Sequence, residues 1–200
     1  HRTLIVPQLG ASGVAAHEVR QRSGFKVEYG PIRADDLPRY LDKGGATPEM
    51  RRITFALPER LVLIPIELVH AFVPWAAAAA VLYLLAGIWG ALSALVAILA
   101  GTILFPILLP WLPTREFSTK GFILGSLVAL SVVLPAHLAG NGQAGWARWA
   151  GPLSLGLGIT GVTAYLALNF TGSTPLASKT GVKREMSRYI PWMAGLAAVG

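Results

Sequence analysis

Polar and apolar positions alternate over short distances in the first quarter of the chain and then give way to long apolar stretches. Residues 3–9 (TLIVPQL) form a short apolar run ended by Gly10, the pattern of a buried strand. Ser12 is placed to cap a helix over 13–22, with Val14, His17 or Glu18, and Val19 at helical spacing, and Ser23-Gly24 stops it. Residues 26–29 read as a second strand, closed by Gly30-Pro31. Asp35 and Asp36 open a further helix that runs to Leu41, acidic groups being favoured in a first turn, and Lys43-Gly44-Gly45 ends it. Residues 52–57 (RITFAL) suit either a third strand or the lead into the apolar stretches beyond them. A strand–helix–strand–helix order is that of a parallel sheet edge in an α/β domain. A segment of 57 residues is too short to bury a full core of that kind, so the remaining strands are expected upstream.

Beyond residue 57 the period changes. Residues 61–112 contain no Lys or Arg over 52 positions. A membrane-crossing helix takes roughly 20 apolar residues, so this run is long enough for two crossings and about ten residues more. Pro65 and Pro74 punctuate its first part. The pattern predicts an interfacial helix over 58–73 and crossings over 74–89, 90–112, 121–138 and 152–170. A fifth crossing begins at 189, but the twelve residues to 200 are too few to complete it. The fold class expected is therefore an α/β fragment, the edge of a Rossmann-like domain over 1–57, followed by an all-α transmembrane domain over 58–200.

Charge sharpens this division. Charged residues make up 14% of the chain, against about 25% in ordinary soluble domains. Residues 1–60 hold ten of the seventeen Lys and Arg and seven of the ten Asp and Glu. The net charge of +7 does not point to nucleic acid, because the soluble part has mixed signs and the remaining excess lies in loops between apolar segments. Those loops alternate. The one near Trp89-Gly90 has no basic residue, 113–120 has Arg115 and Lys120, 139–151 has only Arg148, and 171–188 has Lys179, Lys183, Arg184 and Arg188. The positive-inside rule then puts the N-terminal part, 113–120 and 171–188 on the cytoplasmic side of the cell membrane. Trp111, Trp146, Trp149 and Trp192 fall at the ends of the expected crossings, as an interfacial aromatic belt requires.

The absence of Cys removes disulfides, thiolate metal sites and Cys nucleophiles from consideration within these 200 residues. No secretory leader pattern is present in the first 60 residues. His at position 1, and an apolar run still open at Gly200, read as the two cut ends of a fragment.

Two turns could carry chemistry. Pro7-Gln8-Leu9-Gly10-Ala11-Ser12-Gly13 joins the first strand to the first helix, and Tyr29-Gly30-Pro31-Ile32-Arg33 follows the second strand. Open α/β sheets bind ligands outside the carboxyl ends of their strands, so Gln8, Gly10, Ser12, Gly13, Tyr29, Gly30 and Arg33 are the candidate binding residues, with plain structural turns as the alternative. Glu67 and His70 share a helix face in an apolar stretch. A hydrated interfacial pair is the plain reading, and a substrate or metal role the other. His17 and His137 read as surface and solvated histidines. No set of residues has the spacing of a catalytic constellation.

The stretches LIVPQLGASG (4–13), SGFKV (23–27), YGPI (29–32), RADDLPRYL (33–41), ATPEMR (46–51), ERLVLIPIELVH (59–70), NFTGST (169–174) and GVKREM (181–186) together resemble the corrinoid protein of the bacterial and archaeal mercury-methylation pair. The likeness covers nearly the whole chain. The soluble part is also similar, more distantly, to the corrinoid domain of the corrinoid iron–sulfur protein of acetyl-CoA synthesis. The resemblance implies a cytoplasmic corrinoid (cobalamin-like) domain before a five-helix membrane domain, and a methyltransferase passing a methyl group from a methyl-folate-linked donor to Hg(II). It also implies a ferredoxin-like partner with two [4Fe–4S] clusters and a surrounding of membrane lipid. The family's cap helix, whose cysteine faces cobalt, has no counterpart here, so no catalytic residue carries over and these residues alone are expected to be inactive. Two rivals stand beside it: a corrinoid methyl carrier of the acetyl-CoA synthase type with another acceptor, and a transporter or membrane scaffold. The lack of charged residues in the expected crossings from 90 onward weighs against a transporter.

The charge pattern generates a topology test. Single cysteines placed at 118, 142 and 178 should react with a membrane-impermeant thiol reagent, applied from outside the cell, only at 142. Labelling at 118 or 178 would reverse the assignment.

Overall fold

The computed structural model describes residues 2–139 and 145–200 and divides the chain into two compact units, 1–54 and 55–200. Position 142, the outer labelling site, lies outside the described residues.

The first unit is built on two parallel strands, β1 (Thr3–Val6) and β2 (Lys26–Tyr29), in register from Thr3↔Lys26 to Val6↔Tyr29. A 3-10 turn, Gln8–Ser12, follows β1, and helix α1 spans Ala16–Ser23. The helix starts later than the sequence pattern suggests. Gly10 O accepts from Gly13 N at 2.9 Å and from Val14 N at 3.0 Å, so Ser12 is used inside a 3-10 turn and Ala15 occupies the cap position. Gly24, at φ 74°, closes α1 in the left-handed conformation expected after Ser23. Helix α2 (Leu37–Lys43) follows a 3-10 turn at Ala34–Asp36 and ends on Gly44 at φ 66°. No third strand forms over 52–57: residues 52–56 are irregular, and helix α3 (Leu57–Leu61) begins within the expected strand, with Glu59 accepting from the Ala56 N–H at 2.9 Å. Few apolar side chains of this unit are buried, Tyr40, Met50 and Pro31 among them, and Leu4 and Ile5 stay 43% and 40% exposed. What is present is thus a small two-stranded sheet with little core; parallel sheets ordinarily have both faces covered.

The second unit is helical. Three helical stretches are long and apolar enough to cross a membrane: Leu57–Leu108, Phe117–Ala139 and Ala147–Ser173. The first contains α3, α4 (Ile64–Leu99), a π-helical segment Ala100–Leu104 and α5 (Phe105–Leu108). It does not break at Pro74, where an interfacial helix and a first crossing were expected to meet; Pro74 lies inside α4. The interruption comes at Gly87, with φ 62° and ψ −146°, close to the loop expected near Trp89-Gly90. A Cβ on Gly90 would lie 2.1 Å from Leu82 O. In a continuous helix, residues eight apart are separated by about 12 Å along the axis. The chain therefore folds back at Gly87, and α4 consists of two arms, 64–86 and 88–99. The π segment precedes Pro106, whose ring would crowd the carbonyl of Thr102 in a regular helix.

Helices α6 (Phe117–Ala139) and α7 (Ala147–Asn169) form the main helix pair. Gly121 and Gly125 sit against Ala164 and Thr160, where a Cβ would lie 2.6 Å and 2.9 Å from the neighbouring Cα atoms. Phe105, Leu109, Phe117, Leu124, Ala167 and Phe170 make one buried cluster, and Ala97, Ala129, Val132, Leu155 and Ile159 a second. Helix α8 (Lys179–Val199) starts ten residues before the expected 189, capped by Ser178, whose Oγ accepts from Gly181 N. Its first half carries exposed Lys179, Lys183, Arg184 and Arg188, which disguised the helix as a loop. Ser118 is fully buried and bonds to Glu185, so a cysteine at the exposed Arg115 is the accessible reporter for that loop.

The fold-back at Gly87 requires a backbone conformation that is essentially glycine-only. Gly87→Ala should lower the stability of the membrane unit by about 1–3 kcal/mol. Gly172→Ala, where a Cβ meets nothing within 4 Å, should change it by less than about 0.5 kcal/mol. Unfolding midpoints in mixed SDS micelles read the difference, and equal midpoints would show that the reversal carries no strain.

Candidate functional site

The parallel register puts Val6 and Tyr29 side by side at the carboxyl ends of β1 and β2. The turn carrying Gln8, Gly10 and Ser12 and the segment beginning at Tyr29-Gly30 therefore leave the sheet at neighbouring points. Gly30 N donates to Val6 O at 2.8 Å, and Ile32 N to Met50 O at 3.0 Å. These bonds fix the second segment from both sides.

The candidate residues divide into groups. Gln8 and Tyr29 line a cleft of about 390 Å³ together with Glu28, Tyr40, Gly44, Gly45, Ala46 and Arg51. Gly10, Ser12, Gly13, Gly30 and Arg33 do not line it. Tyr29 Oη donates to Val14 O at 2.7 Å, which ties β2 to the approach of α1, so its hydroxyl proton is already committed. Gly30 is buried, and a Cβ there would lie 2.7 Å from Ile5 Cγ2; this glycine is demanded by packing on β1. A Cβ on Gly10 would meet Val6 Cγ1 at 3.0 Å. Gly13 differs, since a Cβ there has only Gly10 O nearby, at 3.8 Å. Its exposed position leaves room for an approaching group. Ser12 and Arg33 are also exposed.

Tyr40, Gly44, Ala46 and Arg51 escaped the sequence reading because they lie within or after α2 rather than at the end of a strand. Gly44-Gly45 read only as a helix stop, and nothing local says that this stop returns to the strand ends. Gln8, Glu28 and Arg51 line this concave surface together with Tyr29 and Tyr40, a mixture that suits a ligand rich in amide and other hydrogen-bonding groups.

Glu67 and His70 are not the hydrated interfacial pair expected. Glu67 is only 9% exposed and accepts from Ser173 Oγ at 2.6 Å, while His70 is exposed. His137 stacks on Trp149 with ring centroids 3.5 Å apart, instead of standing free in solvent, and His17 is exposed on α1 as expected. Among the described residues no group of three or more His, Asp or Glu is placed to hold a metal ion.

Several other polar side chains of the second unit bond to neighbouring segments. Arg60, 5% exposed, donates through Nη1 to Pro106 O at 2.7 Å and Ile107 O at 2.8 Å, carbonyls left open near the end of α5. Lys120 Nζ donates to Leu109 O at 2.8 Å. Glu185 accepts from Ser118 N and Oγ, and Tyr189 donates to Glu116.

Comparison with protein-family models, with curated proteins and with solved structures returns no match for this chain.

The Tyr29 bond separates scaffold from ligand contact. Tyr29→Phe should cost about 0.5–1.5 kcal/mol through the lost hydrogen bond to Val14. Limited proteolysis of the full chain should then show faster cleavage within residues 1–54, with the membrane unit unchanged. Unaltered proteolysis would mean that the hydroxyl contributes nothing to holding β2 against α1.

Proposed function

We propose that the chain is part of a membrane-anchored corrinoid-dependent methyltransferase that forms methylmercury from Hg(II). In this reading the first unit supplies one edge of the corrinoid site and the second unit is the anchor in the cell membrane, with the first unit cytoplasmic. A methyl-folate-linked donor and a ferredoxin-like protein with two [4Fe–4S] clusters are the partners that go with it. The observation that carries the reading is the parallel register, which sets the Gln8–Ser12 turn beside the Tyr29-Gly30 segment at the carboxyl ends of two strands. That is the edge where open α/β sheets receive ligands.

The residues present fit a corrinoid as a wall rather than as a complete pocket. The cleft of about 390 Å³ offers polar partners from Gln8 and Arg51, and Gly13 leaves its own surroundings open. When bound, the cobalt of a corrinoid supplies the site that carries the methyl group. The chain's own residues have a narrower role. Gln8, Arg51 and the backbone around Gly13 would hold amide-bearing side arms and set the orientation of the ring edge. Tyr29 and Gly30 act beneath them, the first by its bond to Val14 and the second by its packing on Ile5. Exposed Leu4 and Ile5 also accord with a sheet edge that is part of a larger α/β fold.

Corrinoid occupancy tests this directly. Gly13→Val adds bulk where the local fold tolerates it, so it should lower the corrinoid absorbance per mole of the natural polypeptide while membrane insertion is retained. Gly10→Val is less clean, because its side chain also meets Val6. Leu127→Val, on the exposed surface of α6, should leave occupancy unchanged. Full occupancy in Gly13→Val would reduce these turns to structural elements and remove the basis for placing the cofactor here.

A further inference from the structure

Within the second unit, the two arms of α4, helix α7 and the end of α8 line a half-open cavity of about 710 Å³. That is within the range of roughly 300–1,000 Å³ typical of small-molecule sites. Its walls are mostly apolar, and the space exists because Ala71, Ala78, Ala94 and Ala97 present small side chains where larger ones would close it. Glu67, His70, Ser93, Tyr165 and Asn169 bring polar groups to this wall, and Trp75 lies two helical turns beyond Glu67 along the first arm.

Glu67 is the anomaly. It is more than nine-tenths buried, and its carboxylate receives one neutral donor, the Ser173 hydroxyl at 2.6 Å. Among the described residues, no Lys or Arg forms an ion pair with it. His70 also lines the cavity and makes no ion pair with it. A carboxylate withdrawn from water with a single neutral donor is costly, and a cation placed against it relieves that cost. The cavity wall holds a second unmet group, since Trp75 Nε1 is buried with no hydrogen-bond partner among the described residues. The indole ring also offers a face that attracts cations.

We propose that this cavity binds an apolar organic cation, a compact hydrocarbon body bearing one protonated amine, with Glu67 as its anionic anchor. The apolar body fills the space lined by Ala94, Ala97 and Ile159, and the ammonium donates to the Glu67 carboxylate. A carboxylic acid of the same shape is repelled, and a neutral alcohol binds without the charge pairing. This site is independent of the corrinoid reading, because it uses no residue of the first unit.

The test uses the full chain in nanodiscs of zwitterionic lipid, with 1-adamantylamine as the probe and 1-adamantanol and 1-adamantanecarboxylate as its neutral and anionic counterparts. Equilibrium dialysis against empty nanodiscs should show saturable binding of one amine per chain, at least tenfold tighter than the alcohol. Glu67→Gln preserves an acceptor for Ser173 and should erase that tenfold preference. Ala97→Leu, which fills the cavity, should abolish saturable binding of all three probes; unchanged helical circular dichroism shows that each variant is folded. Equal affinity for amine and alcohol would make the cavity a slot for uncharged chains and overturn the proposal. Absence of saturable binding, or a preference that survives in Glu67→Gln, would overturn it equally.

Discussion

The membrane-length helices depend on close backbone approach. Between helices surrounded by lipid, burial of apolar surface is a weak drive, because the hydrocarbon tails are as apolar as leucine. Dispersion contacts and polar bonds have to hold the bundle, and both fall away steeply with distance. Gly121 and Gly125, one turn apart on α6, let that helix come against Ala164 and Thr160 of α7 at a separation that a single added Cβ would forbid. Gly161 of α7 repeats the arrangement on its other side, where a Cβ would lie 2.8 Å from Met193 O of α8. Helix α7 is thereby fixed from two directions, and the first arm and second arm of α4 pack around what it presents.

Polar side chains then complete the end of the bundle where α6 and α8 begin and α7 ends. Glu185 bonds to Ser118, Tyr189 to Glu116, and Ser173 to Glu67, which links three helix termini through short bonds between segments distant in sequence. Arg60 and Lys120 cover carbonyls around the irregular exit from α5. Charged residues are concentrated here for a physical reason: near the ends of apolar helices they reach water or one another, whereas at mid-membrane they would lack either. Glu67 is the exception, because its carboxylate faces an apolar cavity with one neutral donor.

The first unit has the opposite character. It buries few apolar side chains, and its order comes from the β1–β2 ladder, the Tyr29–Val14 and Ile32–Met50 hydrogen bonds and two left-handed glycines, Gly24 and Gly44. Its candidate site is correspondingly a matter of backbone placement. Of the glycines in the two turns, Gly30 is needed by the strand beside it, whereas Gly13 has open space and is the one free to serve a ligand. Sequence alone made them look alike, because spacing does not show which neighbour a missing Cβ would touch.

Much was legible from local pattern. Both strands, the stops at Gly24 and Gly44, and the apolar runs that become α6 and α7 follow from side-chain period, turn chemistry and hydropathy, which act over a few residues. The division of the chain near residue 57 follows from charge density in the same way. What local pattern misjudged has a common cause. The junction expected at Pro74 does not form, because a proline can be carried within a packed helix; the loop expected near Trp89-Gly90 does form, displaced to Gly87, which takes the φ and ψ of the reversal. The start of α8 was hidden by basic residues that sit on an exposed helical turn. Ser12 lost its capping role to a 3-10 turn, and Tyr40 and Arg51 joined the cleft only because α2 returns toward the strand ends. Glu67 was read as hydrated because an interfacial helix was expected around it. Its burial depends on Ser173, 106 residues away, and on α7 lying against the arm that carries it. Which elements form was decided largely by neighbours along the chain; which polar groups end up facing a cavity was decided by contacts between distant segments, and those no local pattern encodes.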